Sequence, residues 1–263
     1  MNDKKLEITI LGSGTSIGVP VVACKCPTCT SDDPRDNRLR CSIYVRYGET
    51  GIVIDTGPDF RQQMLRYGID DIDGVVYTHL HYDHIAGFDD IRGFNFSIRK
   101  DVDAYAHDET IEALNRMFPY AFGKAIQQGG GLPTVRITEI NNSPFTIGDI
   151  TLEPLLLWHG KLKVLGFRIG DFAYCTDTNF IPEDTFEKLK GVKELIIDGL
   201  RPEKHPTHFN IEESLEAIAR IAPQRAYITH IAHQIKHSDW EKKLPVGVEL
   251  SYDGQKITLD YKS

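Results

Sequence analysis

The sequence predicts a layered α/β fold, and three observations carry that expectation. Short runs rich in β-branched and aromatic residues recur at 6–11, 42–47, 52–55, 74–78, 102–106, 135–140, 150–158, 164–169, 172–176, 194–198, 226–229 and 257–261. Segments with apolar residues near period 3.6 lie between some of them, at 108–117, 183–190 and 211–221. Turn residues near 48 and near 170 join neighbouring runs into hairpin-like pairs, which argues against a purely parallel sheet. Strands interleaved with helices bury their apolar faces by stacking in layers.

The clearest helix is 211–221. Asn210 caps it, Glu213 stands three residues on as in a capping box, and Pro223 closes it. The stretch 118–134 carries Gly129-Gly130-Gly131 and no clear period, so it reads as a long loop and a candidate lid. No linker, low-complexity tract or obvious repeat interrupts the chain, and one domain over 1–263 is expected.

The charge of −8 argues against a nucleic-acid partner, since no Lys/Arg run stands out as a basic patch. Metal ions could still supply local positive charge for an anionic substrate. The N-terminus shows no signal core, and no stretch is long and apolar enough for a membrane span, so a cytoplasmic location is expected. Five cysteines in such a setting argue against a disulfide framework. Cys41 and Cys175 read as small buried hydrophobes. A homodimer is the base-rate expectation for a soluble enzyme.

The strongest local signal is His79-Leu80-His81-Tyr82-Asp83-His84, which places four metal-ligand side chains within six residues directly after an apolar run. Imidazole and carboxylate suit Zn, Mn or Fe. His79 and His81 alternate and can face one ion; Asp83 and His84 follow a turn and can face a second. Asp55, His159, Asp177 and His230 each sit just past the end of an expected buried strand, where α/β folds gather site residues. A carboxylate such as Asp177 can bridge two cations. Separately, Cys24-Lys25-Cys26-Pro27-Thr28-Cys29 sets three thiols in a tight knuckle suited to tetrahedral zinc, with His233 the best candidate for the fourth ligand. His107 and His237 read as structural.

With H-x-H-x-D-H at 79–84 and His159, Asp177 and His230 following in order, the chain resembles the metallo-β-lactamase superfamily over nearly its whole length, from Leu11-Gly12-Ser13-Gly14-Thr15 to Ser251-Tyr252-Asp253-Gly254. The resemblance implies an αββα sandwich, two mixed sheets flanked by helices, with the site at one edge. It implies His79, His81 and His159 as ligands of one metal, Asp83, His84 and His230 as ligands of another, and Asp177 as the bridge. Asp55 would orient a ligand histidine. The knuckle, the stretch Gly14-Thr15-Ser16-Ile17-Gly18-Val19-Pro20, Cys41-Ser42, His159-Gly160-Lys161-Leu162 and Thr229-His230-Ile231-Ala232-His233-Gln234 are similar to the cyclic-phosphate phosphodiesterase branch, whose best-known member acts in bacterial phosphonate degradation. That likeness implies His233 as the fourth knuckle ligand and His208 as a residue near the phosphate, with His205 close enough to exchange roles with it. His208 precedes the helix near Ile211, and helix N-termini favour anions.

The implied activity is hydrolysis of a small cyclic phosphate ester. Two divalent ions, Mn or Zn, would activate a bridging hydroxide, and one further Zn would be structural. Asp83, Asp177 and His208 are the catalytic candidates, with His208 binding phosphate or protonating the leaving alkoxide. The stretch Gly87-Phe88-Asp89-Asp90-Ile91-Arg92 and the 118–134 loop depart from that branch, and both lie where substrate could be contacted. Arg92 could grip a phosphate or simply pair with Asp89 or Asp90. A ribonuclease Z-like nuclease, a thioester or acyl hydrolase, and a non-catalytic zinc-stabilised binding module remain as alternatives.

Overall fold

The computed structural model describes residues 4–123 and 131–261. The first sheet carries β1 (Lys5–Gly12), β2 (Ser42–Tyr47), β3 (Thr50–Ile54), β4 (Gly74–Val76), β5 (Val102–Ala106) and β6 (Val135–Glu139) in spatial order. The second runs from β7 (Phe145–Ile147) through β8 (Ile150–His159), β9 (Leu162–Ile169), β10 (Phe172–Cys175), β11 (Glu194–Asp198) and β12 (Arg225–Thr229) to β13 (Val248–Leu250). β14 (Lys256–Asp260) returns to the first sheet and pairs outside β1.

Read from β14 and from β7, both sheets show three antiparallel pairings followed by three parallel ones. The architecture therefore repeats a pairing scheme that the sequence does not display as a repeat. The hairpins expected near 48 and 170 are the β2–β3 and β9–β10 turns. A third, β8–β9, turns at Gly160, whose φ of +65° suits glycine.

Three apolar layers separate the elements. Leu6, Ile8, Ile43, Ile52 and Ile54 of the first sheet meet Leu152, Leu165, Phe167, Tyr174 and Tyr227 of the second. Val53, with Val75 and Tyr77, faces the other way, against Phe60 and Met64 of α1 (Phe60–Tyr67) and Leu114, of the later helix over 108–117. Burial on both faces explains why such strands read as unbroken apolar runs. Over the second sheet, Leu155, Leu195, Ile197 and Ile228 pack on Leu189 and on Ile211, Ala217, Ile218 and Ile221. These residues belong to helices 183–189 and 211–221, so the chain adopts the αββα layering that the resemblance implies.

In chain order the remaining helices are α2 (Tyr82–Ile85), α3 (Arg92–Ser97), α4 (Asp108–Met117), α5 (Glu183–Leu189), α6 (Ile211–Ile221) and α7 (His237–Trp240). Asn210 and Glu213 form both bonds of the expected capping box on α6. α1 escapes sequence reading because its buried face mixes Phe60 and Met64 with a buried Gln63. β7 and β13 are only three residues long, too short to show a period.

The 118–134 loop departs from a free lid in its described part. Phe118 packs tilted against the buried Phe88 at 5.1 Å between ring centroids and Phe122 stacks on it at 5.6 Å, and the Tyr120 hydroxyl donates to Asp89 at 2.8 Å. Residues 124–130 lie outside the described part. Among the described residues no helix is long and apolar enough to cross a membrane.

Candidate metal centre

Three expected site residues follow strands of the two sheets and share an unusual backbone. Asp55 past β3, Asp177 past β10 and His230 past β12 have φ of +68°, +52° and +58°. The left-handed region is uncommon for residues other than glycine, though Asp and His enter it more readily than most. Past those turns Asp177 Oδ2 and His230 Nε2 stand 3.4 Å apart, and Asp55 Oδ2 lies 2.7 Å from His84 Nδ1.

The ligand atoms of His79, His81, His159 and Asp177 lie within 4.8 Å of one another, as do those of Asp83, His84, Asp177 and His230. Asp177 belongs to both sets. Its Oδ2 stands 3.7 Å from His79 Nε2, 3.4 Å from His84 Nε2 and 3.4 Å from His230 Nε2. His84 Nε2 and His230 Nε2 are buried without a hydrogen-bond partner, although carboxylate oxygens stand close by. Nitrogens and oxygens that converge without pairing fit divalent cations between them. Burial keeps His79 neutral, its pKa well below the usual histidine range, which is the form a metal requires.

The far sides of these rings are anchored. His84 Nδ1 is 2.7 Å from Asp55 Oδ2, and the same carboxylate accepts from Thr78 N and Thr78 Oγ1, each at 2.8 Å. His79 Nδ1 meets Thr78 Oγ1 at 2.9 Å, and His159 Nδ1 meets the Thr207 carbonyl at 2.6 Å. Asp55 is thus placed to orient His84, in the manner of a carboxylate behind a ligand histidine.

His208 lies beside the clusters, with its ring stacked on His230 at 4.6 Å and edge-on to His159 at 4.4 Å. Its Nδ1 is 2.7 Å from Asp198 Oδ2. Burial disfavours the charged ring, but Asp198, with Asp177 and Asp83, outweighs burial and raises its pKa to about 9. His205 sits one ring further out, 5.2 Å from His208, and its Nδ1 faces Thr207. No motif in the sequence singles out Asp198, although it ends β11 just as Asp55 and His230 follow their strands. The N-terminus of α6 offers fewer donors than its position suggests, because Asn210 already accepts from Glu213 N and two glutamates fill the first turn.

The structure does not bring Arg92 to the histidines. Its guanidinium pairs with Asp89 at 3.0 Å, and it borders a groove of about 420 Å³ lined by Phe60, Met64, Leu65 and Phe96. Phe88 is buried in the layer under α1 and α4. Gly87 and Ile91 are buried with it, whereas Asp89, Asp90 and Arg92 are part-exposed.

At the knuckle, Cys24, Cys26 and Cys29 Sγ stand 3.3, 3.5 and 3.6 Å from His233 Nδ1. Tetrahedral zinc with ordinary Zn–S and Zn–N bonds would hold sulfur and nitrogen about 3.6 Å apart, so the four residues fit that ion. The backbone N–H of Cys29 lowers the Cys26 thiol to about 6. Cys41 and Cys175 are buried, as expected.

Known proteins share this family and fold. A family profile described as a beta-lactamase superfamily domain matches residues 50–231. The chain belongs to the metallo-β-lactamase superfamily. Within it, a solved diphosphatase of the PhnP family superposes with a TM-score of 0.91 at 37% identity, covering 97% of each chain. An octanoyltransferase of Porphyromonas gingivalis is 37% identical over 98% of this chain, which spans only 52% of that protein's length. The zinc-bound PqqB of Methylobacterium extorquens, at 19% identity and a TM-score of 0.77 over 96% of this chain and 100% of that one, shares the fold.

Proposed function

We propose that this chain is a dinuclear metal-dependent phosphodiesterase acting on a small cyclic phosphate ester. The observation that carries the reading is the pair of clusters joined at Asp177, with the Asp198-held His208 stacked beside them. His79, His81 and His159 would hold one ion and Asp83, His84 and His230 the other, with Asp177 shared. Divalent ions held there, Mn or Zn, would supply Lewis acidity at a phosphoryl oxygen and a water made nucleophilic near neutral pH. The chain's own part is positional. Asp55, Thr78 and the Thr207 carbonyl fix the ligand rings. His208, with Nδ1 committed to Asp198, offers Nε2 as a donor to a phosphate oxygen or to the leaving oxygen. Cys24, Cys26, Cys29 and His233 would hold a structural zinc.

A second reading is hydrolysis of a phosphoanhydride, favoured by the 37% identical diphosphatase. The test is to load the protein separately with Mn and Zn. It is then assayed on a ribosyl 1,2-cyclic phosphate, a 2′,3′-cyclic nucleotide, a dinucleoside diphosphate and a thioester, with Asp177→Ala as control. Turnover of a cyclic phosphate that Asp177→Ala abolishes supports the proposal. Turnover of the diphosphate alone selects the second reading, and turnover of the thioester alone sinks both.

A further inference from the structure

Among the described residues, the buried histidines of the two clusters are anchored in different ways. His79, His84 and His159 each have the far ring nitrogen held, by Thr78, Asp55 and the Thr207 carbonyl. His230 has neither ring nitrogen in a hydrogen bond, and both are buried. Ligand histidines ordinarily take their aim from a partner on the far nitrogen. Apart from the ring of His208 stacked on it, the aim of His230 therefore comes from its backbone.

That backbone is left-handed and is held by its neighbours in the chain. Ile231 N donates to Ser13 O at 2.9 Å, Thr15 N donates to Ile231 O at 3.2 Å, and Ala232 N donates to Leu200 O at 2.9 Å. The next residue is His233, whose Nδ1 faces the three knuckle sulfurs. The knuckle grips the partner loop as well, since Cys29 Sγ accepts from Val21 N at 3.2 Å. The two loops that fix the turn at 230, residues 13–29 and 230–233, are thus cross-linked at the cysteine cluster. An unfavourable φ persists only while its surroundings enforce it.

We propose that an ion in the cysteine knuckle positions His230. Emptying the knuckle would then weaken the ion held by Asp83, His84, Asp177 and His230, and leave the one held by His79, His81, His159 and Asp177 in place. His233 is on this account a positioning residue for the second cluster. The inference rests on the reading of both clusters as metal sites. Loss of an orienting partner lowers metal affinity about ten- to hundredfold.

The experiment uses wild-type protein loaded with zinc and counted by elemental analysis. The mercurial p-hydroxymercuribenzoate is added while a zinc indicator follows release. Cys24 and Cys26 are partly exposed, whereas Cys41 and Cys175 are buried at 1% and 0%, so the reagent reaches the knuckle first. The proposal expects two ions released in sequence and one retained, with an unchanged near-UV circular dichroism spectrum. Release of a single ion, with the other two retained at their original affinity, overturns it, as does release of all three together with loss of the spectrum. His233→Ala should likewise cost two ions, and His233→Cys, which restores a fourth ligand, should recover both. Loss of only one ion in His233→Ala overturns the proposal independently of the reagent. A starting protein without zinc overturns the metal reading itself, a distinct result.

Discussion

Asp198 Oδ2 accepts from His208 Nδ1 at 2.7 Å and from Thr178 N at 2.8 Å, so one buried carboxylate fixes both the tautomer of His208 and the loop that follows Asp177. Asp198→Asn keeps the shape but removes the charge that holds the proton on His208. If His208 serves the phosphate or the leaving oxygen, kcat on the accepted substrate falls by about 10²-fold, within the range of general acid catalysis. His208→Ala falls at least as far. Metal content measured on the same samples should stay at the wild-type value in both. A drop in metal content would make His208 a ligand.

Asp55 collects Thr78 N, Thr78 Oγ1 and His84 Nδ1 on one fully buried carboxylate. Asp55→Asn turns one of its acceptors into a donor and frees the His84 ring to rotate. The expected result is a ten- to hundredfold loss of metal affinity, read by competition with a chelator. Affinity within twofold of wild type would mean that packing alone orients His84.

What sequence reading reached here follows from what it can see. The clustered histidines and carboxylates are legible because their types are dense and identifiable, as in His79-Leu80-His81-Tyr82-Asp83-His84, and because strand ends mark where side chains gather. Asp198 carried the same strand-end signal but no motif. Supports such as the Thr207 carbonyl are backbone atoms and leave no trace in residue type. Arg92 is a case where residue type left two readings open, and the structure shows the pairing with Asp89. A guanidinium near a motif in sequence can face a different layer in space, and only the packing of Phe88 and α3 decides which.

Arg38 is a buried guanidinium that donates to Ser13 Oγ, Ser251 O and His237 Nδ1. An acceptor nitrogen must be unprotonated. Burial, together with Arg38 and Arg35, accordingly lowers His237 to about 4. Between pH 4 and the ordinary value near 6.5 the unfolded chain binds a proton at this ring that the folded chain refuses. The stabilisation is therefore complete above pH 6.5 and drains away as pH falls toward 4, by no more than about 3 kcal/mol. His237→Gln keeps an acceptor for Arg38 without titrating. Urea unfolding at pH 7 and pH 4.5 should show a smaller loss of stability on acidification in the variant than in wild type. Equal losses would place the proton elsewhere.

Gly57 and Gly93 make opposite predictions for the same substitution. A Cβ at Gly57 would stand 2.1 Å from the Asp83 carbonyl oxygen, and Thr56 N already donates to the His84 carbonyl at 2.8 Å. Two backbones touch there, so no rotamer can relieve the clash. Gly57→Ala must push α2, and with it Asp83 and His84, away from Asp177. Overpacking of this kind costs about 1–3 kcal/mol, and metal content should fall along with stability. At Gly93, inside α3, an added Cβ meets nothing within 4 Å and the backbone is not left-handed. Gly93→Ala should therefore stabilise by up to about 1 kcal/mol through helix propensity, with metal content unchanged. Calorimetric melting and elemental analysis of the two variants side by side would check both. Normal metal loading in Gly57→Ala would show that Asp83 tolerates displacement, and would remove α2 from the list of elements that set the cluster's geometry.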